Sequence, residues 1–206
     1  MEVIKIMHKK VVVTIAREFG AEGREIGRRL SEKMGVEIYD KDILEAASKH
    51  LDIPVSVLVD ADEEKMSHLL VPYIGGTGIL GRNFSDQLFE AEKTFIEDIA
   101  RKESCVIVGR LGDYILKDNP DCIKVYIYAP LEKRIQIVSQ KHGISESEAK
   151  KLIKRMDMAR KDFRMYYTDS KWNITNNKDI LLNRDKFGIE GCVEILYQIV
   201  KKKREE

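Results

Sequence analysis

Apolar residues along this chain follow two alternating rhythms. Short runs rich in β-branched residues, at 11–15, 36–39, 104–108, 123–129 and 179–183, read as strands. Between them apolar residues recur at helical steps. Ile26, Leu30 and Met34 mark a first helix ended by Gly35, and residues 42–50 a second. Phe84, Leu88, Ala91, Phe95 and Ile99 mark a long third helix. Residues 131–142 form another, closed by Gly143, and Ser145-Glu146-Ser147-Glu148 is a capping box that opens a cation-rich helix reaching Arg164. Ile189, Val193, Leu196 and Val200 give a closing helix over 188–200, with a frayed tail at 201–206. Residues 51–83 are irregular, 75–82 reads best as a glycine-rich loop, and Tyr166, Tyr167 and Trp172 fall in a polar linker. Strands alternating with helices over the whole length predict an α/β fold, with a parallel sheet covered on both faces.

Composition narrows the function without naming it. The 206 residues suit one domain, and a net charge of +1 gives no support to a general nucleic-acid or membrane-surface role. Any anion site must therefore be a local cluster of arginines. Cys105, Cys122 and Cys192 are widely spaced, which with the absence of an export signal or membrane-length apolar segment predicts a reducing cytoplasm.

The candidate chemistry is concentrated in residues 11–34, which read as buried strand, glycine turn and helix. A helix N-terminus offers unpaired N–H groups and the positive end of its dipole to a phosphate. A full phosphate loop reads G-x-x-x-x-G-K-[ST]. Here Glu18 stands at the first glycine, Gly23 at the second, Arg24 at the lysine and Glu25 at the hydroxyl. Arginine keeps the charge on a wider planar head, and a carboxylate at 25 suits magnesium. An ordinary strand-to-helix turn with solvated charges fits the same letters. Asp40, at the carboxyl end of the second strand, reads as the cap of the next helix and as a ligand group. Gly109-Arg110, directly after the third strand, aims a guanidinium at the cleft. Asp157, Arg160, Lys161 and Arg164 share one helical face, either a solvated surface or a lid over a polyphosphate.

Several segments together resemble the cytidylate kinase-like family of P-loop nucleoside monophosphate kinases. They are TIAREFGAEGREIG (14–27), IYDKDIL (38–44), CVIVGRLGDYIL (105–116), KVYIYAPLEKRI (124–135), RMDMAR (155–160) and DILLNRD (179–185). The resemblance implies a three-layer αβα domain over 1–206, with a central five-stranded parallel sheet and a helical lid. Its core would be 9–50, 84–143 and 178–202, its acceptor-binding region 51–83 and its lid 144–172. It also implies an ATP- and magnesium-dependent phosphotransferase acting on a nucleoside monophosphate or similar small phosphorylated acceptor. Arg17, Gly20, Ala21, Glu22, Gly23, Arg24 and Glu25 would hold the donor phosphates, Glu25 with the metal. Asp40, Arg82, Gly109, Arg110, Arg155 and Arg160 would hold the acceptor. Arg24, Arg110, Asp157 and Arg160 would act on the transferred group. Leu111 stands where cytidylate kinases place an aspartate after Gly-Arg. The alternative is a catalytically silent nucleotide sensor on the same fold. No nucleic-acid or membrane partner is expected, and protein partners are not legible.

Overall fold

Alternating burial explains how the first strand organises the molecule. In β1 (Val12–Arg17) successive side chains point to opposite faces of the sheet, and its first four residues are buried. Val13 and Ile15 enter one apolar cluster with Ile26, Leu30 and Leu196, while Val12 enters another with Ile43, Ile96 and Ile107. A strand that is apolar on both faces belongs in the middle of a parallel sheet. The sheet has the order β2-β3-β1-β4-β5, with β2 Glu37–Tyr39, β3 Cys105–Val108, β4 Cys122–Tyr128 and β5 Ile180–Asn183. All its ladders are parallel. The computed structural model describes residues 9–52, 81–168 and 173–205, apart from the side chains of 81–85.

Helices α1 (Gly23–Met34) and α7 (Arg184–Glu205) cover one face. The other is covered by α2 (Lys41–Leu51) and α3 (Gly81–Lys102), followed after β3 by the single turn α4 (Gly112–Ile115). Helices α5 (Leu131–His142) and α6 (Glu146–Thr168) form a hairpin. Val138, Ile153 and Met156 in this hairpin close over Phe19. The fold is thus the three-layer αβα arrangement with a five-stranded parallel sheet. Among the described residues no helix is long and apolar enough to cross a membrane, and the three cysteines are free and buried.

Five local expectations are corrected. Helix α3 begins at Gly81, so the end of the stretch read as irregular (51–83) and as a glycine-rich loop (75–82) is helical, while 53–80 lie outside the described residues. Helix α6 continues to Thr168, so Tyr166 and Tyr167 are helical, because Tyr167 stacks on Phe89 at 4.0 Å and packs edge-on against Phe163. Trp172 lies outside the described residues. The tail is helical to Glu205, its basic last turn complementing the dipole. The last helix also starts earlier than expected, at Arg184, and is broken at Gly188 (φ 65°, ψ 176°). Asp40 occupies the N-cap position of α2 but makes no side-chain cap hydrogen bond, because its carboxylate is drawn to Arg24. The capping box at Ser145 does form. The Ser145 N–H donates to Glu148 Oε2 at 2.9 Å, and the Glu148 N–H donates to Ser145 Oγ at 3.3 Å.

Candidate functional site

The loop from β1 to α1 is shaped by its own side chains. Glu18 donates its N–H to the Ile127 carbonyl at 3.0 Å, and its carboxylate accepts the Ala129 N–H at 3.1 Å. Arg134 Nε lies 3.3 Å from the same carboxylate, so the residue in the first-glycine position braces the loop against the start of α5. Burial raises the Glu18 carboxyl above its ordinary pKa, partly opposed by the Ala129 hydrogen bond and by Arg134. Next along, the Phe19 N–H donates to Asp157 Oδ1 at 2.8 Å, and Arg134 Nη1 donates to both the Phe19 carbonyl (3.1 Å) and Asp157 Oδ2 (2.5 Å). Asp157, expected to act on the transferred group, therefore ties α6 to the loop backbone. Gly20 turns the chain at φ +81°, and a Cβ there would stand 2.9 Å from Val138. Glu22, also left-handed (φ 57°), sits at the α1 N-cap without a side-chain cap bond, its carboxylate paired with Arg184 instead. With no cap bond from Glu22, the first-turn N–H groups of α1 are suited to an anion.

The two unusual residues of the loop take different partners. Arg24 reaches across to Asp40, joining the loop to the end of β2. Glu25 is bonded to Arg28 Nη2 (2.7 Å) and Arg29 Nε (2.6 Å), and these bonds pull its carboxyl down to about 2. Arg17 leaves β1 toward β3, where any Cβ on Gly109 would collide with its guanidinium. Arg160 on α6 donates to the Arg17 carbonyl at 3.0 Å and lies 5.5 Å from the Phe19 ring.

After β3 the chain turns through three left-handed residues, Gly109 (φ 79°), Arg110 (φ 52°) and Leu111 (φ 53°). Such a run is confined to tight functional or structural turns. It carries Arg110 to Glu92 on α3 at 3.0 Å, and Glu92 is 2% exposed. Beyond it, Asp113 meets Arg164 Nη2 at 2.7 Å and also pairs with Lys178. Sequence reasoning missed this cluster. Helical spacing puts Arg164 on the cationic face of its helix, but Asp113 and Lys178 are 65 residues apart and share no local pattern.

Two cavities meet at this point. One of about 230 Å³ lies over the loop between Phe19, Gly20, Gly23 and Lys141. The other, of about 130 Å³, lies over the end of β3 between Asp40, Arg110, Tyr126, Arg164 and Lys178. Arg17, Arg24 and Arg160 line both. Glu25 and Arg155 line neither, and Arg155 is exposed. The side chain of Arg82 lies outside the described residues. The uncapped helix end and three arginines suit a polyphosphate. The residues fit a protein-held magnesium less well, because Glu25 is engaged by two arginines and no group of three or more acidic, histidine or cysteine side chains among the described residues could hold a metal.

Comparison with known proteins gives the same frame. The model of the family described as "Cytidylate kinase-like family" matches residues 12–186. No curated protein matches the sequence. An uncharacterized protein from Eubacterium ventriosum is 24% identical over 93% of this chain and 99% of its own, with a TM-score of 0.71. Shikimate kinase from Acinetobacter baumannii, in complex with shikimate, is 13% identical over 98% of this chain and 99% of its own (TM-score 0.51). Shikimate kinase from Bacteroides thetaiotaomicron is 14% identical over 93% and 98% (TM-score 0.53). At these identities the structural likeness extends to the fold alone.

Proposed function

The chain belongs to the cytidylate kinase-like family, and from that premise we propose that it is a cytoplasmic phosphotransferase, moving the terminal phosphoryl group of ATP to a nucleoside monophosphate or related small phosphorylated acceptor. The observation that carries this reading is the shared wall of the two cavities, formed by Arg17, Arg24 and Arg160. Phosphoryl transfer demands little covalent chemistry from a protein; it needs positioning, charge neutralisation and exclusion of water.

Amides of Gly20, Glu22, Gly23 and Arg24 hold the donor phosphates in the larger cavity; Ala21 is buried and its N–H donates to the Glu18 carbonyl at 3.3 Å. ATP supplies the phosphoryl group, and magnesium, arriving on its phosphates, supplies charge neutralisation. Arg17, Arg24 and Arg160 line both cavities and so face the position where donor and acceptor meet. Asp40 and Arg110 orient the acceptor, and Asp157 holds the lid helix α6 against the loop. An acceptor that is already an ionised phosphate needs no general base.

Purified protein given ATP, magnesium and a panel of nucleoside monophosphates should release ADP with at least one acceptor. Arg24→Ala should abolish that release while the melting curve stays cooperative. ATP binding with no productive acceptor would remove the kinase reading. It would leave the second one, a nucleotide sensor without turnover, which is favoured by the engagement of Arg24 with Asp40 and of Glu25 with Arg28 and Arg29.

A further inference from the structure

The floor of the smaller cavity has an electrostatic feature that holding ATP and an acceptor with a single phosphate group leaves unexplained. Asp113, Arg164 and Lys178 have side chains only 3%, 6% and 2% exposed, and all three line that cavity. Two cations share one carboxylate. Lys178 Nζ also donates to the Asn176 carbonyl at 3.2 Å, and Arg164 Nη2 lies 3.5 Å from the same oxygen. These are neutral acceptors and cancel no charge. Asp179, the other carboxylate that acts on Lys178, is 46% exposed and pairs with Lys124 at 3.7 Å. Tyr126 presents its ring 5.9 Å from the Lys178 ammonium. Among the described residues the buried cluster thus carries one positive charge in excess, which is costly unless an anion completes it. Burial accordingly pushes Lys178 below the ordinary lysine pKa, against the opposing pull of Asp113.

Position gives the excess charge its meaning. Arg164 is one turn beyond Arg160 on α6, about 6 Å further along the helix axis from the loop. An oxyanion held on Arg164 and Lys178 is offset by that step from one held on Arg160, yet it faces the same cavity. We propose that Arg164 and Lys178, oriented by Asp113, form an anion seat, and that the acceptor carries a second anionic group, a carboxylate or phosphate, remote from its phosphorylated end. This inference rests on the phosphotransferase reading for its word "acceptor", but the seat itself does not.

The test compares the wild type with Lys178→Met and Arg164→Met. Each variant leaves one cation on Asp113 and so removes the excess charge. Inorganic phosphate is titrated calorimetrically at fixed ionic strength in chloride buffer, and ATP with magnesium is titrated separately. The wild type should take up one more phosphate than either variant, or bind it at least tenfold more tightly. The variants should melt at the wild-type temperature or above it, because a merely structural pair would lose stability. Equal phosphate uptake by all three proteins overturns the seat, as does a lowered melting temperature with uptake unchanged. If ATP binds none of them while phosphate uptake still depends on Lys178, the kinase reading fails and the seat stands. With a panel of acceptors, those bearing a second oxyanion should lose kcat/KM in Lys178→Met at least tenfold more than those without one.

Discussion

Arg110 shows how a single side chain is fixed for use. Its guanidinium meets Glu92, a carboxylate 2% exposed, from a backbone held at φ 52°. Burial raises the Glu92 carboxyl and Arg110 opposes that rise. Removing one partner of a buried pair leaves the other uncompensated, at a cost of about 3–5 kcal/mol, whereas replacing both is nearly neutral. Arg110→Met should therefore lower the urea-derived unfolding free energy by about 3 kcal/mol near neutral pH. Adding Glu92→Leu should restore most of it without restoring acceptor binding. The pH dependence has a definite sign. Without Arg110 the folded-state pKa of Glu92 rises further above its unfolded value, so the folded protein holds that proton more tightly and loses stability as pH rises. The deficit should be larger at pH 8 than at pH 5.5. A deficit independent of pH, or one that Glu92→Leu worsens, would mean that Arg110 is held by something else.

Among the elements, α7 isolates the conformational contribution of a glycine. Gly188 sits at φ 65°, ψ 176° inside it, a combination open essentially to glycine alone, and a Cβ there would meet nothing within 4 Å. Gly35, which ends α1 at φ 66°, ψ 41°, is equally uncrowded but lies in the left-handed region that other residues can enter. Alanine at Gly35 should lower the unfolding free energy by about 1 kcal/mol. Alanine at Gly188 should lower it by about 2–3 kcal/mol, and the same denaturation series measures both. Equal losses would mean that α7 straightens at little cost. The contrast also shows what periodicity can and cannot locate. Gly35 and Gly143 follow the last apolar position of a helix and were legible as stops. Gly188 stands just before Ile189, so the pattern placed a helix start there and missed the turn beginning at Arg184. Helix α4 is four residues long, below the reach of any periodicity. The end of α6 depends on Phe89 stacking against Tyr167, a contact between segments that local spacing does not relate.

Across the whole molecule, the strand order gathers the candidate site. Because β1 lies between β3 and β4, the residues that follow them face one another at the carboxyl edge of the sheet. Arg17, Arg24 and Arg110 were legible because each ends a strand or follows a glycine. The pairing of Arg24 with Asp40, the brace from Arg134 to Glu18, and Lys178 against Asp113 were not, since each joins distant segments. These cross-links make the loop, the β3 turn and α6 one connected unit. Asp157 holds the Phe19 amide, Arg160 holds the Arg17 carbonyl, and Arg17 packs against Gly109. A ligand seated on the loop should therefore slow amide exchange well beyond its own contacts. Saturation at a hundred times Kd should add about 2.7 kcal/mol of stability. Exchange should slow in residues 18–26, 109–112 and 157–164 together, while the α1–α7 face near Lys33 and Glu194 changes only through the global term. Protection confined to 18–26 would mean that the loop binds nucleotide without engaging the other two segments. The connected unit would then be a packing arrangement, with no route from the donor cavity to the acceptor cavity.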